Sequence, residues 1–339
     1  MRGVVMHAPG DVRVEDRPDA RIEEPTDAVI RVTQACICGS DLWPYRGLEP
    51  VKDAPMGHEY VGVVEQIGDA VTQVKVGDLV VGSFVASDNT CPICRAGYQS
   101  RCVHQVMMGV IGTQAEHARI PLADGTLVPV PGTPTEAQAR SLLAASDVLG
   151  TGWFAAVAAE AGPGKTVAVV GDGAVGLCGI LAAKQLGADR IIAMSRHADR
   201  QALARTFGAT DIVEERGEAG IARVKELTDG LGAHSTVEAV GNQLSMDQAI
   251  GVTRPGGHVG FVGVSHDVQL QGENLFFSSV HLHGGPAPVR RFLPDLIDLI
   301  MTDKIDPGVV FDLTLPLDRA AEGYRAMDER RATKVLLTI

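Results

Sequence analysis

The sequence lacks three features that would each indicate a particular class of protein. Lysine and arginine are not in excess: 30 basic residues stand against 42 acidic ones, which gives a formal net charge of −12. A nucleic-acid-binding protein normally presents a basic face, so this charge argues against one. The sequence has no charge-free apolar run long enough to span a bilayer and no N-terminal segment typical of a signal peptide. We therefore expect a cytoplasmic protein without a nucleic-acid or membrane partner.

Low-complexity tracts and solenoid repeats are also absent. Hydrophobic residues make up 45% of the chain and charged residues 21%, which is typical of a globular protein rather than a disordered one. A chain of 339 residues exceeds the usual size of one domain and predicts two. Six cysteines in a cytoplasmic protein indicate metal binding or catalysis rather than disulfide bonds.

The chain changes character near residue 130. Before it, short alternating runs such as Ala28–Thr33, Tyr60–Ile67 and Asp78–Val85 are separated by frequent turn signals, which predicts a compact β-rich unit. From Thr135 the sequence becomes rich in Ala and Leu, and strand-like and helix-like segments then alternate. That alternation predicts βαβ units and a doubly wound parallel sheet. From Arg290 the sequence returns to an apolar helix and ends in a strand-like segment.

A glycine turn follows the strand-like segment Thr166–Val170 and precedes a helix-like one. Its glycines have the spacing G-x-G-x-x-G, which lets a backbone approach a pyrophosphate at a helix N-terminus. Alone, this spacing could be only a tight turn, but between a strand and a helix it indicates a dinucleotide site. The turn residues predicted to contact the coenzyme are Gly171, Gly173, Ala174, Val175 and Gly176.

Two groups of metal-binding residue types lie outside the nucleotide unit. In the first, Cys38 is followed by His58 and Glu59, and a thiolate, an imidazole and a carboxylate are ligands that Zn²⁺ accepts. Taken singly, each could equally be a buried cysteine or a core histidine. Together, and upstream of a nucleotide fold, they predict a zinc site.

The second group is a cysteine knuckle formed by Cys91, Cys94 and Cys102 in a polar loop. Three cysteines so close together indicate a metal site; a fourth cysteine is missing, but Asp88 stands three residues before Cys91. A redox-active C-x-x-C pair is the alternative, although the third cysteine counts against it. Cys36 and Cys178 fit neither group and are predicted to be packing residues.

The glycine turn, Cys38, His58-Glu59 and the knuckle together resemble the zinc-dependent medium-chain alcohol dehydrogenases over essentially the whole chain. The resemblance implies a GroES-like, β-rich catalytic domain over residues 1–148 and a Rossmann coenzyme domain over residues 149–287. A return to the catalytic domain is implied over residues 288–339. It also implies an enzyme, an oxidoreductase that transfers hydride between a nicotinamide coenzyme and a small alcohol, aldehyde or ketone. Family members form homodimers and homotetramers.

The resemblance also implies roles for individual residues. Cys38, His58 and Asp147 correspond to ligands of a catalytic zinc, and Glu59 lies beside them, where family members use it as a transient or a steadier ligand. Asp41 corresponds to the carboxylate that orients the histidine. For Asp41 and Asp147, helix capping is the alternative. A second, structural zinc is implied in the knuckle, with the ligands Asp88, Cys91, Cys94 and Cys102.

In the same family a hydroxyl at Ser40 exchanges the proton of the substrate oxygen, although a serine that only forms a turn is the alternative. Trp43 replaces the histidine that continues the proton relay in many relatives, and an indole cannot carry protons. Trp43, Tyr45, Phe84 and Met107 suggest an apolar substrate pocket, although each could equally be a core residue.

The segment about 20 residues beyond the glycine turn normally distinguishes the two coenzymes. NAD-dependent enzymes carry an acidic residue there, but this chain has Ser195 and Arg196, with Arg200 close behind. We therefore expect NADP(H), since no carboxylate is present to repel a 2′-phosphate and guanidinium groups can pair with one. The alternative is that these arginines are solvated and NAD is bound less selectively. By position in the family, Thr151, Val262 and Val264 line the nicotinamide and Lys334 meets the pyrophosphate.

Three other functions fit parts of this pattern. A polyol, threonine or formaldehyde-type dehydrogenase shares the architecture and differs only in its substrate pocket. A zinc-free quinone or enone reductase lacks the ligands that Cys38, His58 and Asp147 supply. A non-catalytic NADPH-binding protein would have no need of the Ser40 hydroxyl beside that ligand set.

Overall fold

The computed structural model describes all residues from 1 to 339. The chain divides into two compact units, of which the first combines Met1–Asp147 with Pro288–Ile339 and the second is Val148–Ala287. No single helix is both long enough and apolar enough to cross a membrane, and one bent pair of helices passes that test on length and composition alone.

The elements before residue 148 are mostly short strands. These strands are β1 (Arg2–Ala8), β2 (Asp11–Asp16), β3 (Ala28–Ile37), β4 (Ala54–Pro55), β5 (Tyr60–Ile67), β6 (Leu79–Gly82), β7 (Val85–Ala86), β8 (Val106–Met107), β9 (His117–Ile120) and β10 (Leu127–Pro129). The helices are α1 (Leu42–Tyr45), α2 (Pro92–Arg95), α3 (Ala123–Thr126) and α4 (Glu136–Ala145).

Helices and strands alternate in the middle of the chain. They are α5 (Val148–Ala158), β11 (Thr166–Val170), α6 (Ala174–Gln185), β12 (Arg190–Met194), α7 (Ala198–Phe207), β13 (Asp211–Val213), α8 (Gly217–Leu227), β14 (Ala233–Glu238), α9 (Gln243–Val252), β15 (Thr253–Phe261), α10 (Gly272–Ser278) and β16 (His281–Gly284). The last elements are α11 (Val289–Met301), β17 (Leu313–Pro316), α12 (Ala320–Asp328) and β18 (Val335–Thr338). Short 3-10 helices lie at Gln99–Arg101, Met108–Val110, Pro307–Val310 and Leu317–Arg319.

Strand β3 is the centre of the first unit. It pairs antiparallel with β5, β9 and β18, in a seven-stranded sheet with the order β10-β6-β5-β3-β18-β17 and β9 beside β3. The apolar side chains of β3 are all buried, and each of its valines and isoleucines contributes about 2 kcal/mol through burial. Because β17 and β18 belong to this sheet, the end of the chain completes the unit that the beginning starts.

The second unit is a six-stranded parallel sheet with the order β13-β12-β11-β14-β15-β16. Residues Val167–Val170 of β11 are buried, which is typical of a strand covered by helices on both faces. This strand order reverses direction at β11, and dinucleotides bind outside the carboxyl ends of the strands at such a point. The predicted fold class, a β-rich domain with a Rossmann domain, is confirmed.

The alternating run Asp78–Val85, read from the sequence as one stretch, is two strands in the structure. The chain leaves the large sheet after Gly82, and β7 pairs with β8 instead. A Cβ at Gly82 would lie 2.0 Å from the Tyr60 hydroxyl, so the tyrosine ring occupies the space beside the strand where it ends.

Candidate functional site

Four buried or nearly buried ligand side chains meet in the first unit. Cys38 follows β3, His58 and Glu59 precede β5, and Asp147 follows α4; one potential ligand atom from each lies within 4.8 Å of the others. The His58 Nε2 atom is 3.4 Å from Asp147 Oδ2, and Cys38 Sγ is 3.7 Å from the same oxygen.

The backbone before the histidine is held by a glycine. Gly57 has φ of +99°, and a Cβ there would come 2.6 Å from the backbone nitrogen of Gln114. Only glycine fits both this conformation and this close approach. The turn therefore fixes where His58 and Glu59 enter the group.

The electrostatics of this group favour a bound cation. Burial and the neighbouring Glu59 raise the pKa of the Cys38 thiol. Burial opposes protonation of His58, but the adjacent Cys38 and Asp41 raise its pKa well above the ordinary value. The Glu59 Oε2 atom is buried without a hydrogen-bond partner. Sulfur, imidazole and carboxylate donors around an excess of negative charge suit Zn²⁺.

Asp41 contacts the histidine rather than capping a helix. Its Oδ1 atom lies 3.5 Å from His58 Nδ1, and its Oδ2 atom accepts hydrogen bonds from the Cys38 amide and the Gln114 side chain. It precedes α1 without a side-chain capping bond, so the capping alternative does not hold. Gln114 accepts in turn from the buried Tyr324 hydroxyl at 3.0 Å.

The structure also places three other residues that the sequence singles out. Ser40 is half-buried in the turn between Cys38 and α1. The Phe84 ring lies 6.2 Å from the His58 ring in an edge-on arrangement, so an apolar side chain does border the group. Tyr45, in contrast, packs on the core with its ring 5.6 Å from that of Tyr324.

The family position of Lys334 predicted a contact with the pyrophosphate, but in the structure its side chain is buried and paired within the protein. Its side chain is 1% exposed, and its Nζ atom donates to Glu59 Oε1 at 2.7 Å and to the Ile37 carbonyl at 3.2 Å. Burial opposes its charge, but Cys36 and Glu59 raise its pKa well above the ordinary value. The ammonium therefore compensates the negative charge of Glu59 through one of its oxygens. Nothing in the sequence indicates this pairing.

The cysteine knuckle forms a second group, in which one ligand atom each of Asp88, Cys91, Cys94 and Cys102 lies within 4.8 Å of the others. Backbone amides point at the sulfur atoms: Cys94 donates to Cys91 Sγ at 3.4 Å, and Asp88 to Cys102 Sγ at 3.4 Å. The Cys94 amide bond lowers the pKa of Cys91 to about 7. This arrangement fits a thiolate-bound metal.

Asp88 is oriented by its surroundings. His104 Nδ1 lies 2.7 Å from Asp88 Oδ2, and Oδ1 accepts from the amides of Thr90 and Cys91. Burial acts against ionisation of Asp88, but the Thr90 and His104 hydrogen bonds outweigh it and hold its pKa well below the ordinary value. Cys36 and Cys178 are buried and belong to neither group.

The glycine turn of the second unit is shaped for close approach of a ligand. Gly171 has φ of +118°, and a Cβ on Gly176 would lie 2.0 Å from the Gly171 carbonyl oxygen. Around Gly173, the residue that precedes α6, a Cβ would meet nothing within 4 Å. Ala174 and Val175 begin α6, whose N-terminus faces this open space and favours an anion. The turn thus fits a dinucleotide pyrophosphate.

One expectation about the coenzyme segment is wrong. No carboxylate was expected near Ser195 and Arg200, but Asp172, the second residue of the glycine turn, lies between them. Ser195 Oγ donates to Asp172 Oδ2 at 2.8 Å, and Arg200 Nη1 donates to Oδ1 at 3.1 Å. Arg196 is exposed. The aspartate comes from the neighbouring strand, so its position along the sequence gave no sign of this contact.

The three residues predicted to line the nicotinamide lie on different elements of the second unit. Thr151 is buried in α5, Val262 follows β15 and donates its amide to the Glu238 carbonyl, and Val264 is 54% exposed. Glu238 itself was missed: it is fully buried, with Oε1 bound to two loop amides and Oε2 without a partner.

Comparison with known proteins agrees with both units. Residues 24–132 match the alcohol dehydrogenase GroES-like domain, and residues 174–301 match the zinc-binding dehydrogenase family. A probable zinc-binding alcohol dehydrogenase of Mycobacterium tuberculosis is 40% identical over 332 residues, covering 96% of this chain and 84% of that protein. Zinc-type alcohol dehydrogenase B of Aspergillus flavus is 35% identical, covering 99% of this chain and 81% of that protein.

A solved structure extends the agreement to three dimensions. The alcohol dehydrogenase of Thermus sp. ATN1 superimposes with a TM-score of 0.91 at 32% identity, covering 100% of this chain and 99% of that one. Its similarity and that of the two curated relatives apply to almost the whole chain. With its paired domain matches and its two groups of metal-ligand residues, the chain belongs to the zinc-dependent medium-chain alcohol dehydrogenase family.

Proposed function

We propose that this chain is a zinc-dependent oxidoreductase that transfers hydride between NADP(H) and a small alcohol, aldehyde or ketone. The observation that carries the proposal is the buried donor set of Cys38, His58, Glu59 and Asp147. Bound there, zinc supplies a Lewis acid that polarises an alcohol or carbonyl oxygen. An excess of buried negative charge without such a cation would be costly.

Each residue of the group has its own part in the proposal. Cys38, His58 and Asp147 hold the metal, and Glu59 stands beside them with one oxygen kept by Lys334. Asp41 contacts Nδ1 of His58 and so fixes the orientation of the imidazole ring. Carboxylates commonly orient metal-ligating histidines in this way. Ser40 exchanges the substrate proton through its hydroxyl. Beyond it, Trp43 cannot pass the proton on.

The knuckle is proposed to hold a second, structural zinc through Asp88, Cys91, Cys94 and Cys102. Amides that already donate to the sulfur atoms support this, because they stabilise thiolate charge. The contact with His104 keeps the Asp88 carboxylate in one orientation. A single oxygen ligand in place of sulfur is acceptable to zinc.

The preference for NADP(H) is supported by Arg196, which follows β12 and is exposed. Its guanidinium suits a 2′-phosphate, whereas the Ser195 hydroxyl is buried and already donates to the Asp172 carboxylate. Gly171, Gly173 and Gly176 are proposed to admit the pyrophosphate. Thr151, Val262 and Val264 remain proposed contacts of the nicotinamide.

Metal content and turnover test the proposal together. Purified protein is expected to contain two zinc atoms per chain and to oxidise or reduce members of a panel that includes simple alcohols, polyols, threonine and formaldehyde. Cys38→Ser is expected to lose one zinc atom and at least about 100-fold in kcat/KM. Cys178→Ala is the matched control, because it removes a buried thiol that belongs to neither metal-ligand group.

Three results would count against the proposal. Full activity of the Cys38→Ser variant, or activity that survives removal of both metals, would indicate a zinc-free reductase instead. Tight NADPH binding with no turnover of any substrate would indicate a non-catalytic binding protein. Equal turnover with NAD and NADP at equal concentrations would remove the coenzyme preference alone.

A homodimer or homotetramer is the proposed assembly. Phe276 and Phe277 are 77% and 74% exposed, and the chain then enters β16, an edge strand of the six-stranded sheet. Neighbouring exposed aromatic rings and an unpaired strand edge are features of a surface that another copy covers.

A further inference from the structure

Asp172 is a buried carboxylate inside the coenzyme-binding turn. It is 9% exposed, and both of its oxygens are engaged, one by the Ser195 hydroxyl and the other by the Arg200 guanidinium. Burial acts against ionisation, but the Ser195 hydrogen bond and the Arg200 charge lower the pKa of Asp172 below the ordinary value. The group is therefore negatively charged at neutral pH.

Three different elements bring these side chains together. Asp172 follows β11, Ser195 follows β12 and Arg200 lies on α7. Strands β11 and β12 are adjacent and parallel, so their carboxyl ends lie side by side. In doubly wound folds the adenosine ribose binds at this end of these two strands, where a carboxylate from the second strand commonly accepts a bond from the 2′-hydroxyl.

We propose that Asp172 is the specificity-determining residue for the coenzyme. Its carboxylate stands at the ribose end of the sheet although it comes from the first strand, and it neutralises Arg200, which would otherwise be available to a 2′-phosphate. Its oxygens suit the hydrogen-bond donor of a 2′-hydroxyl, and its charge opposes a phosphate. This inference rests on the proposed NADP(H)-dependent function.

The remaining charges at this place set the balance. Arg196 is exposed, and His197 is half-buried and close enough to influence Asp172. Gln201 donates to the Ser195 carbonyl and to Glu214, so it is occupied within the protein. The preference for NADP(H) therefore depends mainly on the positive charge of Arg196, which the negative charge of Asp172 opposes. The difference in affinity between the two coenzymes is consequently small, and the protein can also use NAD(H).

The test is equilibrium binding of NADP⁺ and NAD⁺ to the full-length protein by calorimetry, without substrate. Asp172→Asn keeps the shape of the side chain, and its amide oxygen can still accept the hydrogen bond from Ser195. The substitution removes the negative charge that neutralises the Arg200 guanidinium. The Kd for NADP⁺ is expected to fall about tenfold while the Kd for NAD⁺ stays equal or rises. The gain for NADP⁺ should shrink at high salt.

Two further variants separate selectivity from folding. Asp199→Asn removes the same charge from an exposed position at the start of α7, and the ratio of the two Kd values should change less than about twofold. Arg200→Met leaves Asp172 without its cation, so the ratio should move the opposite way, toward NAD⁺. Because the two main variants shift the ratio in opposite directions, a general loss of structure cannot imitate both.

Several outcomes would overturn the inference. An unchanged Kd ratio in Asp172→Asn, or equal weakening of both coenzymes, would mean that Asp172 only holds α7 against the turn. If the wild type binds NAD⁺ more tightly than NADP⁺, the proposed preference fails, yet a shift of the ratio in Asp172→Asn would still support the role of Asp172. Failure of the wild type to bind either coenzyme would overturn both.

Discussion

The buried ammonium of Lys334 donates a hydrogen bond to one oxygen of Glu59, a member of the candidate catalytic metal centre. The other oxygen of Glu59 has no partner inside the protein. The lysine thus settles which oxygen of Glu59 stays free to turn toward a metal. Removing it would leave a buried carboxylate with no compensation other than the metal itself.

Lys334→Met is therefore expected to destabilise the metal-free protein by about 3–5 kcal/mol, because an unpaired buried carboxylate remains. With zinc restored, the loss should be smaller, since a cation then compensates Glu59. Urea unfolding of the metal-free and zinc-loaded forms measures both quantities. Lys304→Met, at an exposed position in the same unit, should change stability by less than about 0.5 kcal/mol. Equal stability of Lys334→Met and wild type without metal would contradict the pairing.

At the scale of the element, the glycine turn and α6 act together. Two glycines of the turn have opposite surroundings: Gly176 faces the Gly171 carbonyl oxygen, and Gly173 faces open space. The first is required for the turn to close on the helix, and the second for a ligand to come near the helix N-terminus.

Substitution of these two glycines should separate folding from binding. Gly176→Ala is expected to cost about 3 kcal/mol of stability, because its Cβ would collide with a backbone oxygen. Gly173→Ala should cost at most about 1 kcal/mol and yet weaken NADP⁺ binding at least about tenfold, since it fills the approach to the pyrophosphate. Thermal unfolding and calorimetry distinguish the two effects. Unchanged NADP⁺ affinity of Gly173→Ala would place the dinucleotide elsewhere.

The parallel strands β12 and β13 are joined by a two-pronged ion pair between Arg190 and Asp211. Arg190 donates to both carboxylate oxygens, at 2.7 and 2.8 Å, and its hydrogen bonds lower the pKa of Asp211. A lowered folded-state pKa stabilises the protein above the ordinary carboxyl value of 3.8, and this contribution is lost as the pH falls through the folded value.

Asp211→Asn is therefore expected to cost about 1 kcal/mol at pH 7, a modest amount because both side chains are partly solvated. The difference from wild type should diminish as the pH falls below the ordinary carboxyl pKa. Urea unfolding at a series of pH values gives the comparison, with Asp199→Asn as an exposed control. A difference that stays constant down to the acid limit of folding would show that the charge of Asp211 contributes nothing.

The sequence predicted the elements whose evidence is local. A strand, a glycine spacing and a helix occupy one stretch, so the Rossmann unit and its turn could be inferred without a structure. The metal-ligand types could also be named, although Asp88 and Asp147 depended on resemblance. What sequence could not supply were contacts made by strand pairing. Lys334 meets Glu59 across 275 residues because β18 pairs with β3, and Asp172 meets Ser195 because β11 lies beside β12.

At the scale of the whole molecule, the exposed rings of Phe276 and Phe277 are the strongest indication of self-association. Their burial against another copy would contribute about 2–3 kcal/mol each. Replacing both with serine is expected to reduce the mass in light scattering from that of an oligomer to that of one chain. Leu231→Ser, at a 63% exposed position of the same unit, should leave the mass unchanged. A monomeric wild type at micromolar concentration would remove the proposal.

The insertion of β18 between β3 and β17 also has a consequence for biosynthesis. A nascent chain emerging from the ribosome can complete its parallel-sheet unit once residue 287 is free, whereas the first unit still lacks β18, which is translated after the second unit. Until Val335–Thr338 is synthesised, residues 34–37 of β3 lack their β18 partner, and Glu59 lacks the Lys334 ammonium. We therefore expect metal to bind the Cys38 group only after β18 has paired with β3, and a chain truncated before Val335 should fold its parallel-sheet unit while the first unit stays incomplete.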